Sequence, residues 1–207
     1  MSQLALDLLL QVPPTLDNFI VGANQECLHV LRAVAGGQRI HRFVYLWGLP
    51  GCGRSHLARA LGGAPPADLL VVDDVHRLGP EEQIALFREF IAAAAQPGRA
   101  IVTTGDRPPL ALTLRDDLRS RLGAGLVFEL QGLDDAARAL ALEQAAQARG
   151  VALSADLIPW LLTHHSRDMR VLLATLDALD RYALVRKRPI TLPLLREWLA
   201  APTGKML

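Results

Sequence analysis

The run Phe43-Val44-Tyr45-Leu46-Trp47, followed by Gly48-Leu49-Pro50-Gly51-Cys52-Gly53-Arg54-Ser55 and a helical pattern to Leu61, constrains the fold more than any other part of the chain. Five aromatic or branched apolar residues closed by a glycine predict a buried parallel strand. A strand that enters a Gly-x-x-x-x-Gly-[Lys/Arg]-Ser loop and leaves as a helix is built to cradle phosphate. Its glycines let backbone N–H groups turn toward an anion, the helix start adds the positive end of its dipole, and the Ser55 hydroxyl can ligate Mg2+. Pro50, Gly51, Cys52, Gly53, Arg54, Ser55 and His56 are therefore candidate nucleotide-binding residues. Arg54 stands where such loops usually carry lysine. A planar guanidinium still reaches phosphate oxygens, but in another geometry, so binding is expected and efficient hydrolysis is questionable.

The pattern then alternates. Arg54 to Leu61 and Glu81 to Ala95 have helical spacing, whereas Leu69 to Val72, Ala100 to Thr104 and Leu126 to Leu130 are strand-like. This order implies a parallel sheet with helices on its faces. An earlier helix, Asn24 to Ala35, stops at Gly36-Gly37. Beyond Gly132 the strands cease, and residues 134–149, 154–165, 167–186 and 191–200 all look helical, so a small α-helical domain follows an α/β core. The strand Leu69–Val72 ends in Asp73-Asp74. Beside a phosphate loop, Asp73 would bind the Mg2+ hydration shell together with Ser55, while Asp74 orients or activates a water.

Composition narrows the partners. The chain holds 22 basic and 21 acidic residues, net +1, without a long basic block, which argues against strong direct binding to duplex DNA. No apolar run approaches the roughly 18 residues of a membrane span, and the amino terminus lacks a basic leader, so a cytoplasmic protein without membrane attachment is expected. Cys27 and Cys52 have no metal-ligand spacing. The histidines His41, His56, His76, His164 and His165 complete no metal or triad set and are read as surface or packing residues.

In this order the pieces resemble the AAA+ ATPases, and more closely the DnaA-like branch that includes the Hda-type regulators of the bacterial replication initiator. The resemblance rests on Phe19-Ile20-Val21-Gly22, on Trp47 to His56, on Thr103-Thr104-Gly105-Asp106-Arg107-Pro108-Pro109, on Ser120-Arg121-Leu122-Gly123 and on Arg167-Asp168-Met169-Arg170. It implies a shortened AAA+ core at 13–131 and a helical lid at 132–207. It further implies that Ile20 and Val21 line an adenine pocket, that Thr104 or Asp106 marks the sensor-1 strand end, that Arg170 is the sensor-2 contact, and that Arg121 is an arginine finger acting in trans. Gln3-Leu4-Ala5-Leu6-Asp7-Leu8, in a tail at 1–12, is similar to the peptide by which such regulators engage the DNA polymerase sliding clamp, with Gln3, Leu4, Leu6 and Leu8 as its contacts.

Only Gly62 to Ala67 separates the loop helix from the Asp73 strand, where AAA+ domains usually insert another strand. In the usual strand order the missing strand is an edge strand, and its loss leaves the central pairing whole. The resemblance thus implies regulatory inactivation of DnaA, with ADP or ATP and Mg2+ as cofactors, DnaA and the sliding clamp as partners, and weak or no turnover by the chain itself. An autonomous P-loop ATPase and a helicase-loader-like protein are the alternatives, and homo-oligomerisation is left open.

Overall fold

The computed structural model describes residues 13–63, 66–166 and 168–200, Arg170 by its backbone alone. Gln3, Leu4, Leu6 and Leu8 lie outside the described residues. The chain divides into two compact units. One comprises the chain up to Phe19 with Glu26–Gly48 and Gly53–Leu130, and the other comprises Ile20–Gln25, Leu49–Cys52 and the chain from Gln131 onward.

The first unit is a parallel sheet with flanking helices. Strand β1 spans Phe43–Trp47, β2 Leu69–Val72, β3 Ala100–Gly105 and β4 Leu126–Glu129, in the order β2-β3-β1-β4. Central pairing is continuous, from Phe43 opposite Ile101 to Trp47 opposite Gly105. β2 is an edge strand, as expected of a core that has lost the strand beyond it. The two central strands are the most buried, β3 throughout, which is why β1 is an unbroken apolar run and β3 opens on one, Ala100 to Val102, rather than alternating.

Helices α1 (Gln25–Ala35), α2 (Arg54–Gly62), α3 (Pro80–Ala95) and α4 (Asp116–Gly123) belong largely to this unit. α1 buries Cys27, Leu28, Leu31 and Val34, the stripe visible in its sequence. Burial pushes the Cys27 thiol up to about 12, so it behaves as a small apolar side chain. α3 starts on Pro80, and the Glu82 carboxylate accepts the Gly79 N–H at 2.7 Å. Tyr45, Phe90, Ile101, Leu112, Leu118 and Leu122 form the core on this side of the sheet.

In the second unit, Asn24 exchanges two hydrogen bonds with the Gln131 backbone, at 2.9 and 2.8 Å. Its remaining elements are α5 (Asp135–Ala148), α6 (Leu157–His164), α7 (Met169–Arg186) and α8 (Leu192–Ala200). Asp134 caps α5 by accepting the Ala137 N–H at 2.7 Å. Leu142, Leu157, Leu161, Leu172, Leu179, Leu194, Leu195 and Trp198 are its buried centre.

Two expectations need correction. α4 is a helix where no helical pattern was read, and α6 begins at Leu157 rather than at 154, because Ser154 to Asp156 form a turn closed by the Leu157 N–H to the Ser154 carbonyl at 3.0 Å. No helix among the described residues is long and apolar enough to cross a membrane.

Candidate functional site

β1 delivers the chain into the loop Gly48–Gly53, and α2 leaves it at Arg54. Gly51 and Gly53 have φ of +84° and +99°. At Gly53 a side chain is excluded twice over: the φ is left-handed, and a Cβ would lie 2.6 Å from Phe19 Cε2. α2 has no side-chain cap and no acidic residue in its first turn, so its first backbone N–H groups are left to an anion.

The side chains around this helix start are engaged in distinct ways. Arg54 is largely buried and donates from Nη1 to the Gly105 carbonyl at the end of β3, while its Nη2 lies 4.0 Å from Asp74 Oδ1. His56 donates from Nε2 to the Thr15 carbonyl at 3.0 Å and packs against the Phe19 ring. Burial holds its imidazole below the usual histidine range, which makes the neutral tautomer with Nε2–H the resident form. With the ring so committed, the backbone N–H is what His56 has to offer a phosphate.

At the C-terminal end of β2, Asp73 and Asp74 are tied to β3 through one hydroxyl. Thr104 is fully buried; its Oγ1 donates to Asp73 Oδ1 and accepts the Asp74 N–H at 2.8 Å. Asp74 sits in the left-handed region at φ 54°, a conformation costing a non-glycine residue about 1 kcal/mol or more. Arg77 Nε is 3.5 Å from Asp74 Oδ2. His76 Nδ1 lies 3.9 Å from Asp74 Oδ1 and 3.8 Å from Asp106 Oδ1. Asp106 is held below the usual carboxylate range by its hydrogen bonds from Arg107. Of the two sensor-1 candidates, then, Thr104 contacts the Asp73 carboxylate and the Asp74 N–H directly, and Asp106 faces His76 and Arg107.

Asp74 Oδ1 and His76 Nδ1 are shielded from solvent without a hydrogen-bond partner. An orphaned carboxylate oxygen beside the exposed Asp73 suits the water shell of a Mg2+ ion brought in with nucleotide. Among the described residues, no group of three or more His, Cys, Asp or Glu side chains is placed to hold a metal by itself. The residues present fit an ion shared with phosphate, which Ser55 and Asp73 would hold.

Gly105 has a second function at this strand end. A Cβ there would collide with the Tyr45 phenol, which crosses it to donate to the Arg107 carbonyl at 2.6 Å. Burial pushes the Tyr45 phenol above its usual range and keeps it a donor.

Arg121 lies on α4. Its neighbours are paired, Arg119 with Asp116 at 2.5 Å and Arg115 with Asp117 at 2.7 Å, whereas Arg121 has no ion pair among the described residues. Ile20 and Val21 are half-buried, with the Asn24 N–H donating to the Val21 carbonyl at 2.9 Å. Arg170 is in the first turn of α7. Just before that turn His165 Nε2 donates to Thr175 Oγ1 at 2.9 Å, because the Thr175 hydroxyl proton is already given to the Val171 carbonyl at 2.8 Å.

Sequence reasoning set His76 aside and did not mark Arg77. The signal for both was their offset of two and three residues from Asp74, where a tight turn brings side chains back onto the carboxylate.

Two family models match the chain: the bacterial DnaA ATPase domain over residues 64–129, and the Hda lid domain over residues 135–199. Among solved structures, domain III of the Thermotoga maritima replication initiation protein DnaA is 21% identical with a TM-score of 0.76, covering 92% of this chain and 98% of that one. AMPPCP-bound DnaA from Aquifex aeolicus is also 21% identical, TM-score 0.70, covering 87% and 69%. The Thermotoga maritima RuvB Holliday junction branch migration motor is 19% identical, TM-score 0.69, covering 93% and 74%. At these identities the solved structures establish the fold, and the two family models add its lineage.

Proposed function

Because the chain is an Hda-type, DnaA-homologous AAA+ protein, we propose that it inactivates the replication initiator DnaA by supplying Arg121 to the ATP that DnaA holds. In this reading the chain binds ADP or ATP as a switch, docks on the sliding clamp through Gln3, Leu4, Leu6 and Leu8, and stimulates hydrolysis in its partner. The tail is 1–12, the core 13–131 and the lid 132–207.

The observation that carries the reading is the Arg121 guanidinium, which has no ion pair among the described residues, whereas Arg119 on the same helix and Arg115 at its N-cap are both neutralised by carboxylates. A guanidinium offered to a transferring phosphoryl group stabilises the charge that grows there, with effects of about 10³ to 10⁵ in rate for GTPases. The loop from Pro50 to Ser55 supplies backbone N–H donors to phosphate, His56 adds its amide, Ile20 and Val21 give apolar contact to the base, and Arg170 is the sensor-2 residue that the resemblance implies. Mg2+ carried with the nucleotide would be held by Ser55 and Asp73 and would supply positive charge to the phosphate oxygens. Asp74 would orient a water, yet Arg54 and Arg77 both pair with it, which favours slow turnover by the chain itself.

The test is hydrolysis of DnaA-bound ATP in the presence of clamp loaded on DNA. Wild-type chain stimulates it, Arg121→Ala does not, and a Gln3→Ala, Leu6→Ala variant loses both clamp pull-down and stimulation. Substantial ATP turnover by the isolated wild-type chain would favour an autonomous ATPase instead.

A further inference from the structure

The second unit has a groove that nucleotide binding does not use. It measures about 380 Å³ and runs between α5 and the α6 region. Asp135, Ala139 and Glu143 form one wall; they recur every fourth residue and so share one face of α5. Ser154, Ile158 and Leu162 stand opposite. The floor is aliphatic and both acidic groups lie on the α5 side, Asp135 paired with Arg138 at 2.7 Å and Glu143 left to carry the charge of the wall.

Two polar groups here have no partner among the described residues. Glu143 is exposed and has no ion pair among the described residues, and Ser154 Oγ is inaccessible to solvent without a hydrogen bond. Leu140, next to Ala139 in sequence, is 54% exposed, so apolar surface continues over the rim.

We propose that this groove is a docking site for a basic amphipathic helix of a partner protein. Asp135 to Glu143 spans about 12 Å of helix at ~1.5 Å per residue, the length of roughly two turns of a helix laid alongside. Aliphatic side chains at i, i+3 and i+4 of such a helix enter the floor between Ala139, Ile158 and Leu162. A lysine or arginine on its flank meets Glu143. The sign of the wall selects the partner: acidic helices, nucleic acid and anionic lipid surfaces all bring like charge to Glu143.

The experiment uses the full chain and two fluorescein-labelled helical peptides, one of leucines and lysines at helical spacing, the other with glutamates in place of the lysines. The lysine peptide binds in fluorescence anisotropy and the glutamate peptide does not. Amide shifts in ¹⁵N-resolved NMR fall at Ala139, Glu143, Ser154, Ile158 and Leu162. Glu143→Lys, an exposed substitution whose circular dichroism stays that of the wild type, weakens binding about tenfold. Equal binding of both peptides, unchanged affinity in Glu143→Lys, or shifts centred elsewhere on the chain would overturn the proposal. Self-association abolished by Glu143→Lys would overturn it too, by placing a second copy in the groove.

Discussion

The Arg54 guanidinium is bonded to the Gly105 carbonyl, so the residue that replaces the usual loop lysine joins the start of α2 to the end of β3. A charged donor on a buried carbonyl contributes more than a neutral one, about 1.5–3 kcal/mol. Arg54→Ala is therefore expected to lower the urea midpoint by an amount corresponding to about 1–3 kcal/mol at unchanged m-value. Arg54→Lys should recover only part of the loss, because an ammonium lacks the fork that faces both Gly105 and Asp74. An unchanged midpoint in Arg54→Ala would show that the bond carries no stability.

Thr104 serves both residues of the Asp73-Asp74 pair from one buried hydroxyl, donating to the Asp73 carboxylate and accepting the Asp74 N–H. Replacing it by valine keeps the shape and leaves the Asp74 N–H and an Asp73 oxygen without that partner. The expected cost is about 1–3 kcal/mol in thermal or chemical unfolding, whereas Thr104→Ser should cost less because the hydroxyl remains. Equal stability of the valine and serine variants would contradict the assigned role of the hydroxyl.

His56 gives a pH dependence whose sign follows from burial. Its folded value is depressed below the ordinary 6.5, so the unfolded chain takes up the proton first as pH falls. Stability contributed by neutral His56 is whole above about pH 6.5 and is lost as pH drops below that toward the folded value. His56→Gln should flatten the stability profile between about pH 7 and pH 5. Parallel profiles for the two proteins would rule His56 out as the source.

Much of this architecture is legible in the chain because single segments carry it. β1 and β2 have the bounds that their apolar runs predict, each run being closed by a change of residue type, Gly48 after β1 and Asp73 after β2. The loop was equally plain, its glycines being required by positive φ at Gly51 and Gly53. α4 was not, because only Leu118 and Leu122 of its eight residues are buried and the rest read as a charged turn. The ties of Arg54 to Gly105 and of Thr104 to Asp73 were also hidden. They join residues far apart in sequence, and no local spacing reports which carbonyl or carboxylate the register of β1, β2 and β3 brings opposite a side chain.

In the second unit, Leu161 and Leu172 are fully buried in one cluster. Leu161→Ala or Leu172→Ala should each cost about 2–5 kcal/mol through lost burial and an unfilled cavity. Hydrogen exchange should then report accelerated opening in α5 to α8. Protection unchanged in those helices would contradict their packing on one core.

The central claim is that Arg121 acts on a nucleotide held by another protein. Its most direct measure is the single-turnover rate of ATP hydrolysis on DnaA, with DNA-loaded clamp, in the presence of wild-type chain or of Arg121→Ala shown to bind ADP with wild-type affinity. The account predicts that the variant leaves the rate at that of DnaA alone, whereas wild type raises it; equal stimulation by the two would contradict it.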